Sequence, residues 1–114
     1  MSDCIFCKIV AKEIPGETVY EDDQVLAIKD INPQAPVHLL LITKKHITSL
    51  NEVSSEDEGL MGHILMLAQK LAQKFGVAES GYRVVTNIGK EGGQAVPHLH
   101  FHVLGGKALG VHID

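Results

Sequence analysis

Near the end of the chain, histidines and apolar residues alternate without a break. The segment reads His98-Leu99-His100-Phe101-His102-Val103-Leu104. A period of two predicts a β-strand, on which residues two apart share a face and stand about 7 Å from each other. We therefore expect three imidazoles on one face of a sheet and Leu99, Phe101 and Val103 in a core behind it. A merely solvated histidine face is disfavoured, because three adjacent rings repel one another once protonated.

Composition limits what else the chain can be. Its 114 residues, 45% of them hydrophobic, suffice for one domain spanning 1–114 and not for two independent cores. The net charge of -4 offers no basic face, which excludes duplex nucleic acid as an expected partner. No apolar run approaches the roughly 20 residues of a membrane-spanning helix, and the N-terminus lacks the features of a signal peptide. We expect a cytosolic protein without a membrane partner.

The first half of the chain predicts a short helix and three strands. Helical character over 5–12 ends before Ile14-Pro15-Gly16, where proline and glycine force a turn. Thr18–Glu21 and Val25–Lys29 are strand candidates that form a hairpin around acidic turn residues. The nearly continuous apolar run His38–Thr43 is typical of a central strand.

The second half predicts one long helix and two strands. The helix begins after Ser55, with Glu58 completing a capping box, and ends near Gly76. Its apolar residues recur at helical spacing: Leu60, Ile64, Leu67, Ala68, Leu71 and Phe75. Tyr82–Asn87 and His98–Leu104 follow as strands. The order indicates an α+β fold, a five-stranded antiparallel sheet carrying one short and one long helix.

A glycine-rich loop precedes the histidine strand. Residues 87–94 read Asn-Ile-Gly-Lys-Glu-Gly-Gly-Gln, and glycines let main-chain N–H groups approach an anion closely. A Gly-Gly pair alone is weak evidence. Beside a row of potential nucleophiles, the loop predicts a phosphate site.

Cys4 and Cys7 form a C-x-x-C pair. Structural disulfides rarely persist in a reducing cytosol. Two interpretations stay open at this point: a metal site, which needs two further ligands from elsewhere in the chain, or two reduced thiols without a metal.

The sequence resembles the histidine triad (HIT) superfamily, whose signature alternates histidine with apolar residues as residues 98–104 do. Its nucleotide-binding (HINT) branch is further indicated by Ile5-Phe6-Cys7-Lys8-Ile9, by the segment from Asp30 to His38, by Gly92-Gly93-Gln94 and by Leu104-Gly105-Gly106. Asn87, eleven residues before the triad, also fits this branch, whereas dinucleoside polyphosphate hydrolases typically have glutamine there.

The resemblance implies a purine nucleoside 5′-phosphoramidate hydrolase. The middle histidine, His100, would attack the α-phosphorus and form a nucleotidyl-histidine that water then cleaves. Imidazole, with a reference pKa of about 6.5, is largely neutral and nucleophilic at pH 7 and also departs readily. His102, Asn87 and the N–H groups of Gly93, Gln94 and Ala95 would hold the phosphoryl oxygens. His38 would line the same pocket, or be a buried structural histidine.

By the same resemblance, the nucleoside has its own set of residues. Asp30 would accept hydrogen bonds from the ribose hydroxyls, with Ile31 in the pocket wall. A purine would lie between apolar side chains: Ile5, Phe6, Ile9, Ile28 and Leu40. Each has a structural alternative, since such apolar residues are usually core and Asp30 can equally cap a turn.

The resemblance also implies a zinc site and a homodimer. His46 and His98 match the positions that complete a structural Cys-Cys-His-His zinc site with Cys4 and Cys7 in many bacterial relatives. His98 would then belong to the metal, leaving His100 free to attack. The dimer of the family joins two sheets edge to edge.

The sequence departs from the family pattern at two points. Ala95 stands where many relatives have a serine that contacts the leaving nitrogen, and the tail 108–114 is short. His63 and His112 are expected on the surface. The alternatives are a hydrolase with a catalytic metal on the histidines, a dinucleoside polyphosphate hydrolase, and a nucleotide-binding module with little turnover.

Overall fold

The sheet of the computed structural model has five antiparallel strands in the order β1-β2-β3-β5-β4. The structure describes residues 3–111. Strands and helices have the following bounds: α1 Ile5–Val10, β1 Thr18–Glu21, β2 Val25–Lys29, β3 Val37–Thr43, α2 Glu58–Lys74, β4 Tyr82–Val85 and β5 His100–Gly105. Short 3-10 helices at Leu50–Glu52 and Ser55–Asp57 precede α2. The predicted α+β architecture is confirmed.

Each face of the sheet buries its own apolar cluster. Helix α2 packs Leu60, Ile64, Leu67, Ala68 and Leu71 on the face that carries Leu39, Leu41, Phe101 and Val103. Helix α1 covers the opposite face with Phe6 and Ile9, which contact Leu26, Ile28, Leu40 and Ile42. Strand β3 contributes to both clusters because it is central and buried on both sides.

The strand register places the histidines on the α1 face. His100 lies opposite Ile42 and His102 opposite Leu40, and directly opposed residues of antiparallel strands share a face. His38 lies on the same face of β3, two residues before Leu40. The large α2 core therefore holds β5 from behind, while His100, His102 and His38 face α1.

The predicted end of α1 and the predicted start of α2 are each wrong by two residues. Helix α1 ends at Val10, not Lys12, because Lys12 has a left-handed backbone with φ 67° that no α-helix continues. The capping box is formed by Ser54 and Asp57 rather than by Ser55 and Glu58. A 3-10 turn lies between this cap and α2, so the cap comes one residue earlier than predicted and α2 starts two residues later, at Glu58.

The last two strands are shorter than predicted. Strand β5 begins at His100, because the chain bends over residues 96–98 and leaves the ladder there. The His98 ring still lies on the α1 side with the other two histidine rings, but it is fully buried and contacts Cys4 and Phe6 rather than lining the cleft. Strand β4 ends at Val85, where Thr86 instead donates its hydroxyl to the carbonyl of His100 at 2.8 Å.

The sequence predicts two further histidines, His63 and His112, on the surface. His63 is half-buried on α2, with its Nε2 2.5 Å from Asp22 Oδ2. His112 lies outside the described residues, as do 113 and 114 of the predicted tail. None of the helices between residues 3 and 111 has the length and apolar content to cross a membrane.

Candidate active site

The His100 ring is oriented by a hydrogen bond to the main chain of His98. Its Nδ1 lies 2.6 Å from the carbonyl oxygen of His98, so Nδ1 carries the proton and donates it. The other nitrogen, Nε2, keeps its lone pair and makes no hydrogen bond with a described residue. Every side-chain nitrogen of the described residues that is inaccessible to solvent has a hydrogen-bond partner. Because His100 Nε2 has none, its lone pair is accessible to solvent. An imidazole fixed in this way is a prepared nucleophile.

His102 and His38 form a hydrogen-bonded pair beside it. The Nδ1 atom of His38 accepts from the main-chain N–H of Gln34 at 3.0 Å, so the His38 proton is on Nε2. This Nε2 lies 2.9 Å from His102 Nδ1 and 3.3 Å from Asp30 Oδ2. When His102 Nδ1 accepts a hydrogen bond from this N–H, the proton of His102 itself is on its Nε2, which faces away from the pair.

Burial keeps both histidines of this pair neutral at pH 7. Burial lowers the pKa of His38, and the nearby charge of Asp30 opposes that effect only in part. Burial, together with the charges of His100 and His38, lowers the pKa of His102 to about 4. A neutral His102 with its proton on Nε2 is a hydrogen-bond donor, not a cation, at physiological pH.

An apolar cleft of about 730 Å³ opens between α1 and the sheet. It is lined by all seven residues that the sequence predicted for the nucleoside: Ile5, Phe6, Ile9, Ile28, Asp30, Ile31 and Leu40. Two of them connect it with the histidines. The Phe6 ring stands edge-on to His100, with centroids 4.8 Å apart, and Asp30 reaches His38. The cleft is large enough for a nucleoside, and Phe6 connects it with the His100 ring.

Sequence reasoning missed part of the cleft wall. Ile14, Pro15, Gly16, Glu17 and Lys29 also line it. The Ile14-Pro15-Gly16 turn was interpreted only as the end of a helix. A Cβ on Gly16 would lie 3.2 Å from Ile9 and 3.4 Å from Ile28, so glycine lets this turn close against the apolar wall.

The glycine-rich loop is held by its own hydrogen bonds. Gly92 packs so closely on the carbonyl of Ile88 that a Cβ has no room. The N–H groups of Gly93 and Gln94 donate to Lys90 and Gly89, and would have to leave these partners to bind a phosphate. The N–H of Ala95 makes no hydrogen bond with a described residue, so it is the available donor of the three predicted.

The two amide side chains of this loop differ in what they leave free. Gln94 donates from Nε2 to Thr48 and Val96 and accepts at Oε1 from the Gly89 N–H, which uses its whole amide to hold the loop. Asn87 donates from Nδ2 to Gly92 at 2.9 Å and retains one further N–H. Asn87 therefore keeps a donor for a ligand, whereas the Gln94 side chain shapes the loop.

The four residues predicted as zinc ligands come together at the start of α1. The ligand atoms of Cys4, Cys7, His46 and His98 lie within 4.8 Å of one another. His98 Nε2 donates to the carbonyl of Thr43 at 2.7 Å, which leaves its Nδ1 lone pair directed at Cys4 Sγ, 3.1 Å away. Cys7 Sγ lies 3.1 Å from His46 Nδ1. Two thiols and two imidazoles at these separations fit a tetrahedral zinc ion.

The comparisons with known proteins agree with this geometry. A family model described as HIT domain matches residues 11–109. The chain belongs to the HIT family. It is 47% identical over 108 residues to a protein of Escherichia coli strain K12 named purine nucleoside phosphoramidase, which covers 95% of this chain and 91% of that protein.

Solved HIT structures match the whole fold. A HIT family hydrolase from Clostridium thermocellum gives a TM-score of 0.96 at 46% identity, covering 100% of this chain and 99% of that chain. A HIT family hydrolase from Legionella pneumophila gives 0.93 at 51% identity, with 95% and 96% covered. This chain is therefore a HIT-family hydrolase.

The histidines beside Asp30 are poorly suited to bind a catalytic metal. Asp30, His38 and His102 also bring ligand atoms within 4.8 Å of one another. However, a ligand nitrogen needs a free lone pair, and the N–H of Gln34 keeps the His38 proton on the Nε2 atom that faces this cluster. The hydrogen-bond pattern thus favours histidines acting as nucleophile and donor.

Proposed function

We propose that this HIT hydrolase splits the P–N bond of purine nucleoside 5′-phosphoramidates through a nucleotidyl intermediate on His100. The observation that carries the proposal is the His100 ring, whose Nδ1 donates to the His98 carbonyl while its Nε2 lone pair is open beside a nucleoside-sized cleft. The Escherichia coli relative named purine nucleoside phosphoramidase supports the substrate class.

In the first step, His100 Nε2 attacks the α-phosphorus. The new bond joins Nε2 to phosphorus, and the P–N bond to the amine breaks. The amine departs with the bonding electron pair and takes up a proton. The ring becomes positively charged while its Nδ1–H keeps donating to the His98 carbonyl, which stabilises that charge.

In the second step, water attacks the same phosphorus. A P–O bond forms, the bond to Nε2 breaks, and one water proton is released, giving the nucleoside monophosphate and free His100. The N–H groups of His102, Asn87 and Ala95 are the proposed donors to the phosphoryl oxygens in both steps. Donors fixed before the reaction stabilise developing charge without reorganising.

The cleft supplies binding and orientation. We place the purine between the apolar side chains that line it, Ile5, Phe6, Ile9, Ile28 and Leu40, and the ribose at Asp30 beside Ile31. The Asp30 carboxylate is 17% exposed, so it can still accept from a hydroxyl. The loop main chain at Gly93 and Gln94 encloses the phosphate end.

A bound zinc ion would be structural in this proposal. Cys4, Cys7, His46 and His98 would hold it and cross-link α1, the loop after β3 and the start of β5. His98 contributes to catalysis through its carbonyl rather than through its ring. No step of the reaction passes through the metal.

Quenched mass spectrometry tests the proposal. Wild-type protein mixed with a slowly hydrolysed adenosine 5′-phosphoramidate should show an added AMP on the peptide that contains His100. His100→Asn should lose the adduct and at least about 1,000-fold in kcat while still binding AMP. His63→Asn, on the opposite face of the sheet, is the control for loss of a ring. Full turnover by His100→Asn, or an adduct on His102, contradicts the proposal.

The same assay separates the alternatives. Faster turnover of a diadenosine polyphosphate than of the phosphoramidate would identify a dinucleoside polyphosphate hydrolase. Binding of AMP without hydrolysis of either would identify a nucleotide-binding module. The homodimer, the cytosolic location and the single domain over 1–114 stay predictions, and sedimentation at the mass of two 12.4 kDa chains would confirm the first.

A further inference from the structure

One ring N–H in this site has a hydrogen-bond acceptor and a carboxylate close beside it. The Gln34 N–H occupies His38 Nδ1 at 3.0 Å, so the only ring proton of neutral His38 is on Nε2. That Nε2 lies 2.9 Å from His102 Nδ1 and 3.3 Å from Asp30 Oδ2. The hydrogen bond goes to His102, but the carboxylate at 3.3 Å is close enough to compete for the same N–H after a small rotation of either side chain.

The choice of acceptor decides the tautomer of His102. When His38 donates to His102 Nδ1, the His102 proton must be on Nε2, where it can donate to a phosphoryl oxygen. When His38 donates to Asp30, nothing fixes His102, and its Nδ1–H form would present a lone pair to that oxygen. Burial lowers the pKa of both rings, so each carries one proton near pH 7 and the tautomer matters.

Asp30 connects this choice to the cleft. Its Oδ1 already accepts from the Asn32 N–H at 2.8 Å. Its Oδ2, the atom near His38, belongs to a carboxylate that is 17% exposed and lines the cleft. A hydroxyl bound at Oδ2 competes with the His38 N–H for the same oxygen.

We propose that Asp30 is a positioning residue that couples occupancy of the ribose site to the His102 tautomer: hydroxyls that donate to Oδ2 stop it competing for the His38 N–H, which then donates to His102 Nδ1 alone. The inference rests on the proposed function for the identity of the ligand. Ribose recognition then does more than bind. It completes the hydrogen-bond donor that the phosphoryl group needs, so the hydroxyls contribute to kcat as well as to KM.

Kinetics with two substrates test the coupling. Wild-type protein should hydrolyse the 2′,3′-dideoxyadenosine phosphoramidate with a kcat about 10-fold below that of the ribose substrate, besides a higher KM. In His38→Phe, which removes the N–H and keeps a ring, both kcat values should be low and equal while the KM difference persists. His38→Gln, which restores an N–H donor, should recover part of the ribose effect on kcat. Urea unfolding confirms that both variants fold.

A measurement without turnover makes the test independent. Nitrogen-15 NMR distinguishes the two tautomers of His102 directly. Adenosine should drive His102 to the Nε2–H form, and 2′,3′-dideoxyadenosine at saturation should not.

The outcomes separate this inference from the proposed function. Equal wild-type kcat values for the two substrates, or the same tautomer with both nucleosides, overturn the coupling even if an adduct forms on His100. A tautomer change with adenosine in a chain that hydrolyses no phosphoramidate supports the coupling and overturns the proposed function instead.

Discussion

His102 is the histidine of the described site whose protonation is displaced furthest from the ordinary range. Burial and the charges of His100 and His38 hold its pKa at about 4, against a usual 6.5. We predict that an NMR titration of its ring carbon resonances has a midpoint near pH 4. Between pH 6.5 and 4 the unfolded chain binds a proton that the folded chain does not, so this residue lowers stability as the pH falls. A midpoint at pH 6 or above contradicts the burial argument.

The site residues were predictable as types and positions, but not as atoms. Alternation identified His100 and His102, and the C-x-x-C spacing pointed to a metal. The atoms that set the tautomers are the carbonyl of His98 and the N–H of Gln34, and every residue has such groups. Their roles depend on where the main chain bends, as the bend at His98 shows, and no side-chain pattern records that.

At the scale of elements, Ser54 and Ser55 form a matched pair on the approach to α2. Both are exposed, yet Ser54 Oγ accepts from the Glu56 N–H and its own N–H donates to Asp57. We predict that Ser54→Ala lowers the free energy of unfolding by about 1 kcal/mol, because the Glu56 N–H at the helix start loses its acceptor, Ser54 Oγ. Ser55→Ala should change it by a few tenths at most. Urea unfolding measures both, and equal effects would contradict the observed cap.

Asp22 joins the β1–β2 turn to α2. Its Oδ1 accepts from the N–H groups of Gln24 and Val25, and its Oδ2 receives the Tyr20 hydroxyl at 2.7 Å and faces His63 Nε2. Burial alone would raise the pKa of this carboxyl, but the hydrogen bonds from Tyr20, Gln24, His63 and Val25 outweigh it and hold the pKa far below its usual 3.8.

We predict that Asp22→Asn costs about 1–2 kcal/mol at pH 7, since an amide NH2 replaces Oδ2, the acceptor of the Tyr20 hydroxyl and the partner of His63. A carboxyl with a lowered folded pKa stabilises above its unfolded value and loses that contribution as the pH falls below it. The difference from wild type should therefore shrink below about pH 4. Asp23→Asn, on the exposed neighbouring residue, is the control in urea unfolding at both pH values. A difference that is constant with pH would show that charge plays no part.

Strands were easier to predict than helix ends. Thr18–Glu21 and Val25–Lys29 have the predicted bounds, because two strand-forming segments around an acidic turn define a hairpin locally. The end of α1 depends on a left-handed Lys12, and the cap of α2 on which of two adjacent serines turns inward. Such choices are made by tertiary packing, and either serine fits the capping pattern.

At the scale of the whole molecule, the zinc cluster joins segments far apart in sequence. Cys4 and Cys7 belong to the start of α1, His46 follows β3, and His98 precedes β5. We predict about one zinc per chain by elemental analysis, and a fall in Tm of several degrees on chelation, since binding energy is folding energy. Cys4→Ser should have the lower Tm already and show little further change with chelator. A chain without zinc, or a Tm indifferent to chelation, supports two idle thiols.

The overall architecture was predictable because each face of the sheet has its own pattern. Residues 99, 101 and 103 alternate into the α2 core, and the continuous apolar run of β3 fits burial on both faces. The sequence predicted only part of the cleft wall, because another part comes from the Ile14-Pro15-Gly16 turn, which folds back on α1. That approach joins segments whose contact leaves no periodic signal.

The acceptor that aligns His100 belongs to the peptide backbone, so mutation of residue 98 cannot delete it. A descendant lineage could exchange both thiols and both ligand rings for an apolar plug and still inherit an aligned nucleophile. Dependence on a metal and the capacity for chemistry can therefore be gained or lost separately during evolution.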